Sequence, residues 1–320
     1  MLGKPSVFLL ILSALLLGAC FQSDPPVLNR PQRAGATPYV QKDIVVDGMR
    51  LRYVDEGSGF PLVLIPGHSS RVEEYDALIR YLLPKGGWRI ITLDFPGSGY
   101  SDKPDREYSL AFYEDTFLHF LDALGIAHCH LAGGSLGGHL TLRLGARDPE
   151  RFRRLIAFSP AGAWAARPWL AWATRLIAGR PLFWPTVKIQ SRFWYSKHFS
   201  GSKQALEETF ERYFPEVLSR GFLRMYWGMA ADQIGHSLFP IAPAISQPTL
   251  LISADEDPTP GMVAGVRRLK ELIPNSQLIE LTGVGHAVAT ERTQELARLI
   301  EAFLKEDPGK ARRRPEARPR

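Results

Sequence analysis

Ser135 stands in the run Gly133-Gly134-Ser135-Leu136-Gly137-Gly138, with glycine two places before the hydroxyl and two places after. Glycines there let a strand and a helix close around a turn sharp enough to leave the serine side chain exposed. The flanks supply both elements. His128 to Ala132 reads as an apolar strand, and Ser135 to Arg147 as a helix that stops before Pro149. Glycine-rich turns are common, so it is this strand–turn–helix context that marks Ser135 as a nucleophile. A dinucleotide-binding turn would instead need Gly-x-Gly-x-x-Gly and an acid ending the next strand, and the chain has neither.

A serine hydroxyl attacks poorly without a base. Of the eight histidines, His119, His128, His130 and His139 fall inside strands or helices, where a structural role is usual. His198 and His236 lie in an aromatic insertion. His286, in Gly283-Val284-Gly285-His286, follows a strand ending at Leu281 and occupies a loop where a base could face Ser135. The base needs a carboxylate to fix its tautomer and stabilise the imidazolium. Ala254-Asp255-Glu256-Asp257-Pro258 follows another strand and offers three acids for that task.

These residues are spaced along an alternation of strands and helices. Strands are predicted at 44–46 and 49–53, joined by the hairpin turn Asp47-Gly48, and at 62–65, 89–93, 128–132, 155–158, 249–253 and 277–281. Helices are predicted at 73–83, at 109–124 with Ser109 as cap, and at 135–147, 262–272 and 288–304. This order gives an α/β fold, a mostly parallel sheet covered on both faces, with its site at the carboxyl ends of the strands. Residues 163–245 interrupt it. They hold six of the seven tryptophans and are broken by prolines, and they read as a helical cap over an apolar cavity. Most of its aromatics are expected to form the cap's own core.

The chain resembles the α/β-hydrolase superfamily over roughly residues 41–305, in the order serine, acid, histidine. Asp94-Phe95-Pro96-Gly97-Ser98-Gly99-Tyr100-Ser101 is similar to that family's Asp-x-x-Gly-x-Gly-x-Ser loop, which is structural there, so Asp94 is not read as catalytic. Ala254 to Asp257 resembles its Gly-x-x-Asp segment, which selects Asp257 as the triad acid. The resemblance implies catalysis by Ser135, Asp257 and His286. It also implies an oxyanion hole built from two backbone N–H groups, those of Leu136 and His68. His68 lies in Pro66-Gly67-His68, where the family often has His-Gly-x. Its ring is expected to face solvent.

Within that superfamily a serine nucleophile argues against dehalogenases and epoxide hydrolases. Carbon–carbon bond hydrolases often carry tryptophan after the histidine, where this chain has Ala287. The expected activity is hydrolysis of acyl esters of a small apolar substrate, without cofactor or metal. Two alternatives share the residues: a carbon–carbon or thioester hydrolase with the same triad, and a non-catalytic lipoprotein binding an apolar ligand.

Composition sets the remaining bounds. With 45% hydrophobic and 22% charged residues, most of the chain can fold around a core. Two cysteines, Cys20 and Cys129, exclude a disulfide scaffold. The net charge of +6 lies outside the body: residues 308–320 carry +5 and residues 1–19 carry +1. A neutral body lacks the footprint of a nucleic-acid binder. Residues 1–19 form a basic-then-apolar signal segment, and Leu17-Gly18-Ala19-Cys20 resembles the bacterial lipoprotein signal, which implies lipidation of Cys20. A Pro-rich tether (20–40), the hydrolase core (41–162 and 246–306), the cap (163–245) and a basic disordered tail (307–320) complete the organisation. The expected location is extracytoplasmic, on a membrane through the lipid anchor. Phe21 in place of Asp favours the outer membrane where there is one.

Overall fold

The computed structural model describes residues 37–176, 178 and 219–306. The signal segment, Cys20, the tether to residue 36, most of the cap between 177 and 218, and the basic tail lie outside the described residues. No helix among the described residues is long and apolar enough to cross a membrane.

Eight strands form one sheet: β1 (Gln41–Val46), β2 (Met49–Gly57), β3 (Phe60–Ile65), β4 (Trp88–Leu93), β5 (Cys129–Gly134), β6 (Phe152–Phe158), β7 (Thr249–Ala254) and β8 (Ser276–Leu281). Their order is β1-β2-β4-β3-β5-β6-β7-β8, antiparallel at β1/β2 and β2/β4 and parallel thereafter. Asp47 (φ 51°) and Gly48 (φ 74°) make the opening hairpin, both left-handed as a tight two-residue turn requires. Central strands are apolar on both faces. Val63, Ile65 and Leu131 face one layer, and Leu62, Leu64 and Ala132 the other.

The first layer holds α2 (Leu110–Ala123), α3 (Leu136–Arg147) and α6 (Met262–Leu272). The second holds α1 (Asp76–Leu82) and α8 (Thr293–Lys305). Ser109 caps α2, its side chain accepting the Phe112 N–H. The first described residues are bonded to this body. Thr37 Oγ1 donates to Asp76 Oδ1 at 2.7 Å, and Tyr39 OH to Asp76 O at 3.2 Å. Cys129 is buried and free, and burial pushes its thiol up to about 12.

The single helix expected over 288–304 is two, α7 (Val288–Glu291) and α8, separated at Arg292 (φ −133°, ψ 41°). No proline or glycine marks the break. Side-chain bonds hold it: Arg292 Nη2 donates to Gly283 O at 3.1 Å, and Glu291 Oε2 accepts the Gly285 N–H at 2.9 Å. Both fasten α7 to the loop that carries His286.

Two cap helices are described, α4 (Pro168–Arg175) and α5 (Arg220–Gly235). Pro168 starts α4 rather than breaking it, a position where its missing N–H costs nothing. Asp232 Oδ2 accepts the Leu110 N–H at 2.8 Å, joining α5 to the leading end of α2.

A buried ion network fixes the loops at the carboxyl edge. Arg52, fully buried, donates to Glu73 at 2.7 and 2.9 Å and to Asp94 Oδ2 at 2.6 Å. Asp94 Oδ1 accepts the Val72 N–H at 2.8 Å, and its Oδ2 accepts the Tyr100 N–H at 2.7 Å. The loop after β3 and the loop after β4 are thus held by one carboxylate, and the Arg52 guanidinium lies 4.4 Å from the Tyr100 ring centre.

Candidate active site

Ser135 is the hinge between β5 and α3 and adopts φ 52°, ψ −119°, a left-handed conformation that side chains rarely take. Three bonds hold it. Its N–H donates to Phe158 O at 3.1 Å, and its carbonyl accepts the His139 and Ala161 N–H groups at 3.0 and 2.9 Å. The flanking glycines are required sterically, since a Cβ on Gly137 would overlap Ile65 O and one on Gly133 would overlap the Gly137 backbone. The side chain opens into a cavity of about 550 Å³.

His286 reaches the same cavity from the loop after β8. Its Nδ1 lies 2.7 Å from Asp257 Oδ2, and the Asp257 carboxylate is fully buried. Asp257 Oδ1 accepts the Thr259 N–H at 2.9 Å. Burial alone would raise the Asp257 pKa, but the His286 contact and the Thr259 N–H outweigh it and hold the acid below its ordinary value. Burial alone would lower the His286 pKa, but Asp257, with smaller contributions from Glu74 and Glu291, holds it above its ordinary value.

The three acids after β7 have separate positions. Asp257 meets His286. Asp255 Oδ1 accepts the Gly283 N–H at 2.8 Å and the Val284 N–H at 3.3 Å. Glu256 is exposed. Five other described histidines stand apart from this pair. His119 is exposed beside Asp47, His128 is exposed, and His130 packs on Phe60 with ring centres 4.7 Å apart. His139 is buried in α3, and His236 Nδ1 contacts Asp232 O. His198 is outside the described residues.

Leu136 opens α3, so its N–H belongs to the first helical turn, which has no partner within the helix and lies at the positive end of the dipole. His68 lies in the turn Gly67–Ser70, closed by the Ser70 N–H to Gly67 O at 3.2 Å with Ser69 at φ 55°. Both loops border the cavity. The expectation of a solvent-facing His68 ring is overturned. The ring turns under the cap, its centre 4.8 Å from that of Tyr226, and its Nδ1 accepts from the Gln233 amide at 3.1 Å. Burial holds its pKa at about 4, so it is neutral. The cause is α5, a helix far along the chain whose placement over His68 no local pattern shows.

Tyr226, Trp227 and Trp164 join Phe158, Leu170 and Met262 in the cavity wall, while Trp169 and Trp172 of α4 are exposed. Arg167, Gln233 and Glu74 are its other polar side chains besides those already placed and the hydroxyls of Ser69, Ser70, Thr174, Thr259 and Thr290. Sequence reasoning missed Glu74, which reads there as an ordinary residue near a helix start.

The family model described as alpha/beta hydrolase fold matches residues 61–293. The chain belongs to the α/β-hydrolase family. It is 30% identical over 292 residues to 2-hydroxymuconate semialdehyde hydrolase of Pseudomonas putida, covering 87% of this chain and 98% of that one. It is 26% identical over 286 residues to poly(3-hydroxyalkanoate) depolymerase of Ectopseudomonas oleovorans, covering 86% and 95%. Among solved structures, the enol-lactonase of Burkholderia xenovorans LB400 superposes with a TM-score of 0.71 at 22% identity, over 83% of this chain and all of that one, a likeness of fold. This α/β-hydrolase therefore has relatives whose names cover different bonds.

Proposed function

We propose that this α/β-hydrolase is a serine hydrolase that cleaves acyl esters of an apolar substrate through an acyl-enzyme. The observation that carries the reading is Ser135, on a left-handed elbow, opening into the cavity that holds His286, whose far nitrogen is bonded to buried Asp257. With Nδ1 engaged, Nε2 is the nitrogen left to take the Ser135 proton as Oγ bonds to the ester carbon. The carbonyl electron pair moves to oxygen, and the Leu136 and His68 N–H groups take up that charge. Collapse expels the alcohol, which receives the proton from His286. Water then repeats the sequence on the acyl-enzyme. The aromatic wall favours an apolar acyl group.

Carbon–carbon bond cleavage by the same residues is the second reading, favoured by the 30% identity to 2-hydroxymuconate semialdehyde hydrolase. Against it stands Ala287 after His286. The two separate by turnover: acyl esters from acetyl to palmitoyl are set beside 2-hydroxymuconate semialdehyde. Faster cleavage of an ester supports the first reading, and faster cleavage of the semialdehyde supports the second.

We also propose that Cys20 is lipidated and tethers the enzyme outside the cytoplasm, at the outer membrane where there is one. Leu17-Gly18-Ala19-Cys20 and the absence of Asp after the cysteine support this.

A further inference from the structure

Ser135, His286 and Asp257 leave one carboxyl in the cavity without a task. Glu74 comes from the 3-10 turn Val72–Tyr75, below the loop that follows β3. Its Oε2 accepts the Gly67 N–H at 2.8 Å, one residue before His68. Its neighbour Glu73 turns the opposite way, into Arg52. Two adjacent glutamates are thus divided between the buried ion network and the cavity.

Charged groups reach His286 from several elements. Asp257 reaches it from the loop after β7, and Glu74 from the 3-10 turn. Glu291 adds its charge from α7, where it holds Gly285. His68, on the loop after β3, is neutral, and Arg71 turns its guanidinium to Glu73.

We propose that Glu74 is a positioning residue for the acyl-transfer step: it holds Gly67, and with it the His68 N–H, in place for the oxyanion, and its carboxylate supports the imidazolium formed on His286. This rests on the serine-hydrolase reading. In the step itself the Ser135 proton passes to His286 Nε2 as the Oγ–carbon bond forms and the carbonyl π pair moves to oxygen. Glu74 exchanges no proton. It acts through a hydrogen bond on one side and a charge on the other. Burial pushes its carboxyl up to about 7, against the pull of the Gly67 N–H, the Ser70 side chain and the His286 charge, and its own charge in turn helps hold the His286 pKa above the ordinary value.

The test is the rate of fluorophosphonate labelling of Ser135 from pH 5 to 9, for the full chain and for Glu74→Gln and Glu74→Ala, with thermal melts alongside. Phosphonylation needs the nucleophile, base and oxyanion hole but no particular substrate. Glutamine can accept the Gly67 N–H without a charge, and alanine can do neither. Glu74→Ala is expected to label about 10-fold or more slowly, since loosened oxyanion donors cost less than the 10²–10³ of a lost one. Glu74→Gln is expected to restore most of that loss and to shift the acid limb to lower pH, because His286 loses a neighbouring negative charge. Three equal profiles, or a glutamine variant with the wild-type acid limb, overturn the proposal. If the alanine variant does not fold, the acid limb of the glutamine variant alone decides. A wild-type chain that is not labelled at Ser135 overturns the underlying reading instead.

Discussion

Asp255 and Asp257 stand two residues apart after β7 and grip one loop at two points. Asp257 Oδ2 meets His286 Nδ1 at 2.7 Å, and Asp255 Oδ1 accepts the Gly283 N–H at 2.8 Å. One acid faces the His286 ring and the other the backbone that presents it. Asp257→Asn should therefore lower kcat by about 10³–10⁴, because the wrong tautomer and an unsupported imidazolium follow. Asp255→Asn should stay within about 10-fold, since an amide oxygen still accepts the two N–H groups, more weakly. Steady-state kinetics on the best ester measure both, and the reverse order would reassign the acid.

His286 must be neutral to take a proton, and Asp257 holds its pKa above the ordinary value. Below that raised pKa the base is blocked, so kcat/KM should climb as pH rises through it, with a midpoint above about 6.5. Removing the Asp257 charge should move the residual activity's midpoint to lower pH. A midpoint below 6 in the wild type would contradict this electrostatic account.

Three histidines under or within the fold act in the opposite sense on stability. Burial holds His68 and His130 at about 4, and His139 lower than its ordinary value. Unfolded histidine titrates near 6.5, so between about pH 6.5 and 4 the unfolded chain binds protons that the folded chain does not. Stability should fall as pH falls through that window. His130→Phe keeps a ring against Phe60 and Trp88 and should flatten the fall by about 1 kcal/mol per pH unit. Denaturant melts at pH 7 and 5 give the slope, and an unchanged slope would show that His130 does not contribute.

Asp94 serves the framework, holding Arg52, Val72 and Tyr100 together. Asp94→Asn leaves the buried Arg52 with one fewer compensating charge and should cost about 3–5 kcal/mol. Turnover per active site, counted by fluorophosphonate titration, should fall far less than for Asp257→Asn. Equal losses would make Asp94 part of the chemistry.

Much of this was legible in the chain. The Asp47-Gly48 turn, the doubly apolar strand ending at Ile65 and the Gly-x-Ser-x-Gly elbow are local signals, and the structure has each in place. The meeting of His286 with Asp257 takes β7 beside β8, and among the three acids after β7 it was the family resemblance, not the residues themselves, that pointed to Asp257. What stayed hidden depends on distant partners. The His68 ring turns inward because Gln233 and Tyr226 lie over it, Glu74 faces the cavity because Gly67 bends back to it, and the helix break at Arg292 answers to Gly283 and Gly285. None of these pairs shares a periodic pattern.

The proposed lipidation of Cys20 has its own test. Radiolabelled palmitate should enter the wild-type chain in cells and not Cys20→Ala. Equal labelling would remove lipidation.

The central claim is that Ser135 is the nucleophile, and hydrolysis of acyl esters from acetyl to palmitoyl by the wild-type chain and by Ser135→Ala tests it most directly. The account predicts turnover on at least one ester and its loss by about 10³–10⁶ in the variant, as befits removal of a nucleophile that acts with its base as a unit. Retained turnover in Ser135→Ala would contradict it.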